Sequence, residues 1–521
     1  MAKDGLISGT RHLSQADLLK RARQAAAALS SIGVQQGARV ALLMRNDFAF
    51  IEASMAASLL GASTVPLNWH LIPTEIAYII EDSRPSAWLV HADLLSPAVL
   101  DLASRLGIIV LRVATLLDPA SLVPAESTNR DSAPEKGAEI LEWDAWIATF
   151  EQWQGDPAPV SRPMFYTSGT TGKPKGVVRS AAVPPEAALA SQRRSQAAFG
   201  LLNRSSGGAI RSVMTGPLYH SAPNAYALNL LRTGGLLVLQ QRFDPAGLLE
   251  LIERHHITHL HMVPTMFVRL LALPEAVRRA HDLSSLHFVA HGAAPCAPQV
   301  KHSMIQWWGP VIHEYYAMTE TGIIATCDSV QWLKHPGTVG CAPEGVELQI
   351  ADEHGQPVAP GTTGEICVRT GTTPHVGYHG APDKTKALVR DGFLRTGDIG
   401  HLDSEGFLFI SDRHSDMVIS GGVNLYPAEV EAALLGLKGV KDAAVFGVPD
   451  DEMGEKLVAV VELLNGDLTS EELRDELSKE LASFKIPRHF DFDCRIPRED
   501  SGKVRKKLLR QQWMSARGIG L

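Results

Sequence analysis

"YTSGTTGKPKG", Tyr166 to Gly176, sets hydroxyls, glycines and two lysines in one run. Glycines let the backbone approach a bulky anion closely. The hydroxyls of Thr167, Ser168, Thr170 and Thr171 can donate to phosphate oxygens, and Lys173 and Lys175 add positive charge. The same run also reads as a polar, flexible connection, since Gly/Ser/Thr stretches are common in loops. It is not the nucleotide P-loop GxxxxGK followed by Ser or Thr, because Pro174 stands after Lys173. Its surroundings have to decide what it holds.

Upstream, Ser14 is an N-cap candidate with Asp17 three residues on, and Leu18, Ala22, Leu29 and Ile32 recur at helical spacing until Gly33. The pattern then predicts strand at 40–44, helix at 47–60, strand at 63–67, helix at 74–83 and strand at 87–91. Such alternation predicts βαβ units on a mostly parallel sheet. Residues 119–163 are rich in Pro, Ser, Glu and Asp and are expected to be a surface excursion. Near the carboxyl end, 443–448 and 456–462 read as strands. Thr469 with Glu472 opens a helix carrying Leu473, Leu477 and Leu481.

A chain of 521 residues exceeds one ordinary core, so at least two domains are expected. With 45% hydrophobic and 20% charged residues the composition is that of a globular α/β protein. A net charge of −8, with basic residues spread out except near the carboxyl end, argues against nucleic acid and for small molecules. Five scattered cysteines in no CxxC pattern argue against a disulfide framework and a zinc site, and a cytoplasmic setting is expected. The longest uncharged run, Ala53 to Trp69, contains Gly61 and Pro66 and reads as buried helix plus strand, so no membrane span is expected.

Four further segments follow in order: "EYYAMTETG" (Glu314 to Gly322), "RTGDIG" (Arg395 to Gly400), "DRHSDMVISGGVNLYPAEVE" (Asp412 to Glu431) and "PREDSGKVRKKLL" (Pro497 to Leu509). With these five motifs the sequence resembles, over nearly its whole length, the adenylate-forming superfamily of acyl-CoA synthetases, luciferases and peptide-synthetase adenylation domains. The resemblance implies an α/β fold with a large multi-sheet amino-terminal domain, 1–412, and a small mobile α+β carboxyl-terminal domain, 413–521. The hinge would lie near 413–416, with Ser415 where relatives usually carry Asp or Lys.

The resemblance also implies roles. Thr167, Ser168, Gly169, Thr170, Thr171, Gly172, Lys173 and Lys175 would enfold the β and γ phosphates of ATP. Thr319 and Glu320 would face the α-phosphate, with Glu320 holding Mg²⁺, a hard cation that takes a carboxylate. Tyr316 would pack on adenine with Gly292, Ala293 and Ala294, while Asp398 would accept from the ribose hydroxyls with help from Arg413. Lys503, otherwise readable as one more solvated residue of a basic tail, would bridge the substrate carboxylate and the α-phosphate. After adenylation the small domain would rotate and bring Ser420, Gly421 and Gly422 in to shape a thiol tunnel.

"MVISGGVNLYPAEVE" is similar to the CoA ligases of the superfamily, which makes coenzyme A the expected acceptor. The acyl pocket would be lined by Ser221, Asn224, Ala225, the stretch 262–267, His291, Gly292, Tyr315 and Met318. His220 would gate between that pocket and the thiol. Tyr315 stands where several hydroxycinnamate ligases have a small residue, so a pocket blocked or bent along that path is expected, taking an apolar monocarboxylic acid, fatty or ring-bearing. "HHITHLH" could offer His255 and His259 to a metal if helical, but it reads better as a helix end running into a buried strand. An acyl-AMP ligase loading a carrier protein, and a non-catalytic nucleotide-binding regulator, are the alternatives; the pattern is compatible with a homodimer.

Overall fold

The computed structural model describes residues 4–114, 139–158, 161–167, 174–179, 183–202, 209–413, 416–420, 423–450, 452–464, 466, 468–499 and 502–519. The chain divides into two compact units: 1–183 with 206–242 and 375–385, and 184–205 with 243–374 and 386–521.

The first unit is built on a parallel sheet ordered Ser63–Leu67, Arg39–Leu43, Ala87–His91, Ile109–Val113, Ile140–Glu142. Gln15–Ser31, Phe48–Leu59 and Pro73–Ser83 are helices that the sequence predicts, whereas Pro97–Leu106, between Ala87–His91 and Ile109–Val113, is one that it does not. Ser14 Oγ accepts from the Asp17 amide and opens Gln15–Ser31, Asp47 caps Phe48–Leu59, and Gly33 past the first helix takes φ +85°, which glycine adopts without strain. Ala41, Leu43, Trp88 and Val90 put alternate side chains on one face, where Ile76, Ile79 and Ile80 of helix Pro73–Ser83 pack. The described part of the expected surface excursion is more ordered than its composition suggests. Ile140–Glu142 adds the fifth strand, and Trp143 on the short helix Trp143–Ala148 is fully buried, its Nε1 donating to Glu52 at 2.9 Å. Glu52 is also held bidentately by Arg21 at 2.6 and 3.1 Å. Six helical residues are too few to give a readable period, which is why this element escapes pattern analysis. The unit also holds parallel strands Gly5–Ser8, Leu236–Leu239 and Arg211–Met214, and the hairpin Phe165–Thr167 with Lys175–Arg179.

In the second unit His259–Met262, Phe288–His291 and Ile312–Met318 run parallel, with Gly322–Cys327 antiparallel at the edge. A mainly antiparallel sheet follows, made of Val346–Ala351, Gly364–Thr370, Phe393–Leu402 and Leu408–Arg413, with the short Val389–Arg390. From residue 416 the chain forms a further sheet whose long hairpin is Val440–Asp450 with Gly454–Leu463. Ala443 and Val445 face one cluster with helices Pro427–Gly436 and Ser470–Leu477, while Ala444, Phe446 and Val448 face Leu509, Trp513 and Met514 on the other side. Thr469 and Glu472 form the predicted capping box, but that helix ends at Leu477 and leaves Leu481 beyond it.

Candidate active site

The second unit gathers most of the candidate residues. Ile312–Met318 carries a bulge between Tyr316 and Ala317, and the turn after it presents Thr319 and Glu320, the latter only 6% exposed. The Tyr316 hydroxyl donates to Asp398 Oδ2 at 2.5 Å, and Asp398 sits opposite Arg413 in the adjoining strand. Residues 82 positions apart thus form one polar edge, a phenol beside a carboxylate, suited to a ring and a diol. Strand Phe288–His291 ends in Gly292, where a Cβ would lie 2.5 Å from the Tyr315 carbonyl oxygen, so only glycine fits. Ala293 follows at φ +69°, a left-handed conformation that costs a non-glycine residue about 1 kcal/mol.

Lys503 lies on a turn that the fold holds firmly. The Gly502 amide donates to Glu499 O at 2.8 Å and the Glu499 amide to Lys503 O at 2.9 Å. Arg498 reaches back to Gly502 O at 2.5 Å while its guanidinium grips Asp442. Gly502 has φ +81°, and a Cβ there would come within 2.5 Å of Thr265 Oγ1, at the start of helix Pro264–Leu271. The Lys503 turn therefore rests against one of the segments expected to line the acyl pocket.

The first unit carries the other candidates. Thr167 and Lys175 face each other in register at the end of their hairpin, with Lys175 Nζ 5.0 Å above the Tyr378 ring. Ser168, Gly169, Thr170, Thr171, Gly172 and Lys173, between them in sequence, lie outside the described residues, as do Ser415, Gly421, Gly422 and the Arg413 side chain. Ser420 pairs with Val423. His220 is the N-cap residue of helix Ser221–Arg232, and Ser221 and Ala225 are half-buried on its first turns. Asn46 fixes the approach to this helix, accepting from the Leu218 amide at 2.8 Å and donating to Gly216 O at 3.0 Å. Asn224 is buried and gives its amide to Leu218 O at 3.0 Å.

Under the strand Ile312–Met318 lies a buried charge pair that the sequence does not announce. Lys301 Nζ donates to Glu314 Oε2 at 2.6 Å, 4.9 Å from the Trp332 ring centroid, with His291 Nε2 3.7 Å from the same carboxylate. Burial raises the Glu314 carboxyl against the pull of Lys301 and holds His291 well below the usual histidine range. On the neighbouring strand His259 donates from Nε2 to Gly200 O at 3.2 Å and accepts at Nδ1 from Thr258 at 2.8 Å, so both its ring nitrogens are engaged within the chain.

Burial pushes His259 and His261 down to about 4, from an ordinary 6.5. The unfolded chain therefore binds two protons that the folded chain refuses, and stability falls as pH drops from about 6.5 towards 4. At pH 5 the expected loss is on the order of 2 kcal/mol per histidine. Urea midpoints at pH 7.5 and pH 5 check this, with a His259→Gln/His261→Gln variant expected to show the shallower dependence.

Comparison with known proteins fixes the class. The AMP-binding enzyme family matches residues 2–378, and the AMP-binding enzyme C-terminal domain matches 429–503. A feruloyl-CoA synthase from Amycolatopsis is 32% identical over 516 residues, 97% of this chain and 95% of that one. An indoleacetate–CoA ligase from Aromatoleum aromaticum is 32% identical over 512 residues, 96% and 93% of the two chains. The crystal structure of ATP-bound MatB from Rhodopseudomonas palustris superposes with a TM-score of 0.83 at 27% identity, covering 99% of this chain and 96% of that one.

The chain belongs to the AMP-binding enzyme family, within the adenylate-forming superfamily. It is an enzyme of the carboxylic acid–CoA ligase class.

Proposed function

We propose that the protein converts an apolar monocarboxylic acid, fatty or ring-bearing, to its CoA thioester through an acyl-adenylate. The observation that carries this reading is the gathering in one unit of the Tyr316–Asp398 pair, the Thr319–Glu320 turn and the Lys503 turn against Thr265. Relatives whose names specify feruloyl and indoleacetate substrates support an apolar acid.

In the first step a substrate carboxylate oxygen attacks the α-phosphorus of ATP, the bond to the bridging β-phosphate oxygen breaks, and pyrophosphate leaves. Tyr316 and Gly292 to Ala294 orient the adenine, Asp398 with Arg413 takes the ribose hydroxyls, and Lys503 neutralises charge at the α-phosphate. Residues 168–173, flanked in sequence by Thr167 and Lys175, receive the β and γ phosphates. Among the described residues no three His, Cys, Asp or Glu side chains converge, and Glu320 is the carboxylate that would hold Mg²⁺, a hard cation suited to oxygen ligands. The ion supplies charge neutralisation when bound.

In the second step the CoA sulfur attacks the acyl carbon, AMP leaves and the thiol proton passes to solvent. Rotation of residues 413–521 about Ser415 would withdraw Lys503 and bring Ser420 to Gly422 towards the thiol path, gated by His220. Action in the cytoplasm is part of this reading; no helix among the described residues is long and apolar enough to cross a membrane. The family reading is compatible with a homodimer.

The test is pyrophosphate release from ATP and Mg²⁺ across fatty, phenylalkanoic, cinnamic and steroid-like acids, with and without CoA. CoA-dependent turnover of one apolar group is expected. Turnover of only acetate or amino acids would overturn the acid class, and thioester formed on a carrier protein but not on free CoA would overturn the acceptor.

A further inference from the structure

Tyr315 lies flat across the sheet it belongs to. Its strand neighbours Phe288–His291, which in turn neighbours His259–Met262, and the register sets His261 beside Ala290 and Ala290 beside His313. Side chains two apart share a face, so His261, Ala290, Gly292 and Tyr315 all look the same way. Because Gly292 has no side chain, the Tyr315 ring occupies the space above it: a Cβ on Gly292 would stand 2.8 Å from the ring's Cζ. Crossing that glycine, the hydroxyl reaches His261 Nε2 at 2.7 Å. Phe199 closes the corner with edge contacts to both rings, at 5.6 Å to Tyr315 and 5.5 Å to His261. Tyr315 is only 3% exposed.

We propose that Tyr315, latched by His261 and boxed by Phe199, forms a fixed blind end to the acyl pocket. The enzyme then takes compact ring-bearing acids with few bonds between ring and carboxylate, and rejects straight, extended ones. This rests on the ligase reading, which places the acid against Gly292, Tyr315 and Met318. A glycine in a pocket wall ordinarily gives depth, and here that depth is filled by a side chain of the protein itself. Swinging the ring away would break a buried hydrogen bond and leave a cavity, which disfavours an open position. His261 is a positioning residue: it touches no substrate and acts by fixing the tyrosine. Its burial keeps the imidazole neutral near pH 7, leaving a ring nitrogen able to accept the phenol proton.

The experiment compares kcat/KM for phenylacetate and benzoate with that for cinnamate and decanoate, using the full chain as wild type, Tyr315→Ala, Tyr315→Phe and His261→Gln. The wild type is expected to favour the compact pair. Tyr315→Ala should shift the extended-to-compact ratio towards extended acids by ~10-fold or more, the range that pocket methylenes command. Tyr315→Phe and His261→Gln, which keep most of the bulk but lose the latch, should shift the same ratio by about 2- to 5-fold through KM for the extended acids. A merely structural role would lower turnover of every acid alike. If Tyr315→Ala does not fold, the Phe and Gln variants decide.

A wild type that prefers extended acids, or folded variants with an unchanged ratio, would overturn the proposal and leave the ligase reading standing. If wild type and variants release no pyrophosphate with any acid of the wider panel above, the ligase reading fails, and the blind pocket with it.

Discussion

Lys503→Ala is expected to abolish most adenylate formation, by ~10²- to 10³-fold in pyrophosphate release, the scale seen when one preorganised charge-stabilising donor is removed. Thioester formation from a supplied acyl-adenylate should change far less. Geometry contributes as well as charge. The turn bearing Lys503 is fixed by hydrogen bonds from Gly502 to Glu499 and from Glu499 to Lys503, and by Arg498 anchored on Asp442. Its glycine packs on Thr265 so closely that a methyl group has no room. Gly502→Ala should therefore weaken the same step in the same direction, by displacing the turn and leaving the charge intact. Pyrophosphate release and thioester formation measured separately decide the matter, and an equal loss in both steps in Lys503→Ala would contradict the assigned role.

The second large effect is on stability. Lys301→Ala leaves the buried Glu314 carboxylate without the ammonium 2.6 Å away. Removing one partner of a buried ion pair costs about 3–5 kcal/mol, because the remaining charge is neither solvated nor paired. The double variant Lys301→Met/Glu314→Leu removes both charges and keeps the volume, and it should recover most of that loss. Urea unfolding of the three proteins, followed by tryptophan fluorescence, checks both statements. A single variant losing less than about 1 kcal/mol would mean that water reaches Glu314. Because Glu314 lies two residues before Tyr316 on the same strand, the single variant is also expected to raise KM for ATP.

Local signals were legible where backbone chemistry is local. Ser14 with Asp17, Asp47, and Thr469 with Glu472 each satisfy amide groups within their own first turn, so the helix starts could be placed to within a residue. The short helix holding Trp143 was missed because its reason for existing, a hydrogen bond to Glu52, lies 91 residues away. "HHITHLH" could be read as strand, but the role of its His261 could not: its partner Tyr315 is 54 residues on, and nothing in either local pattern links them.

The order of five motifs determined the family and the residue types that reaction requires, because phosphate, ribose and carboxylate each demand particular donors and charges. Strand and helix alternation determined the βαβ units of the amino-terminal part. Tertiary structure alone decided which residues meet: Tyr316 with Asp398, Lys301 with Glu314, the Lys503 turn with Thr265, and Tyr315 with His261 across a bare glycine. The reason is physical. Capping and periodicity act over a few residues and are written in sequence order, whereas burial brings together whatever the sheet register aligns, at separations no local pattern records.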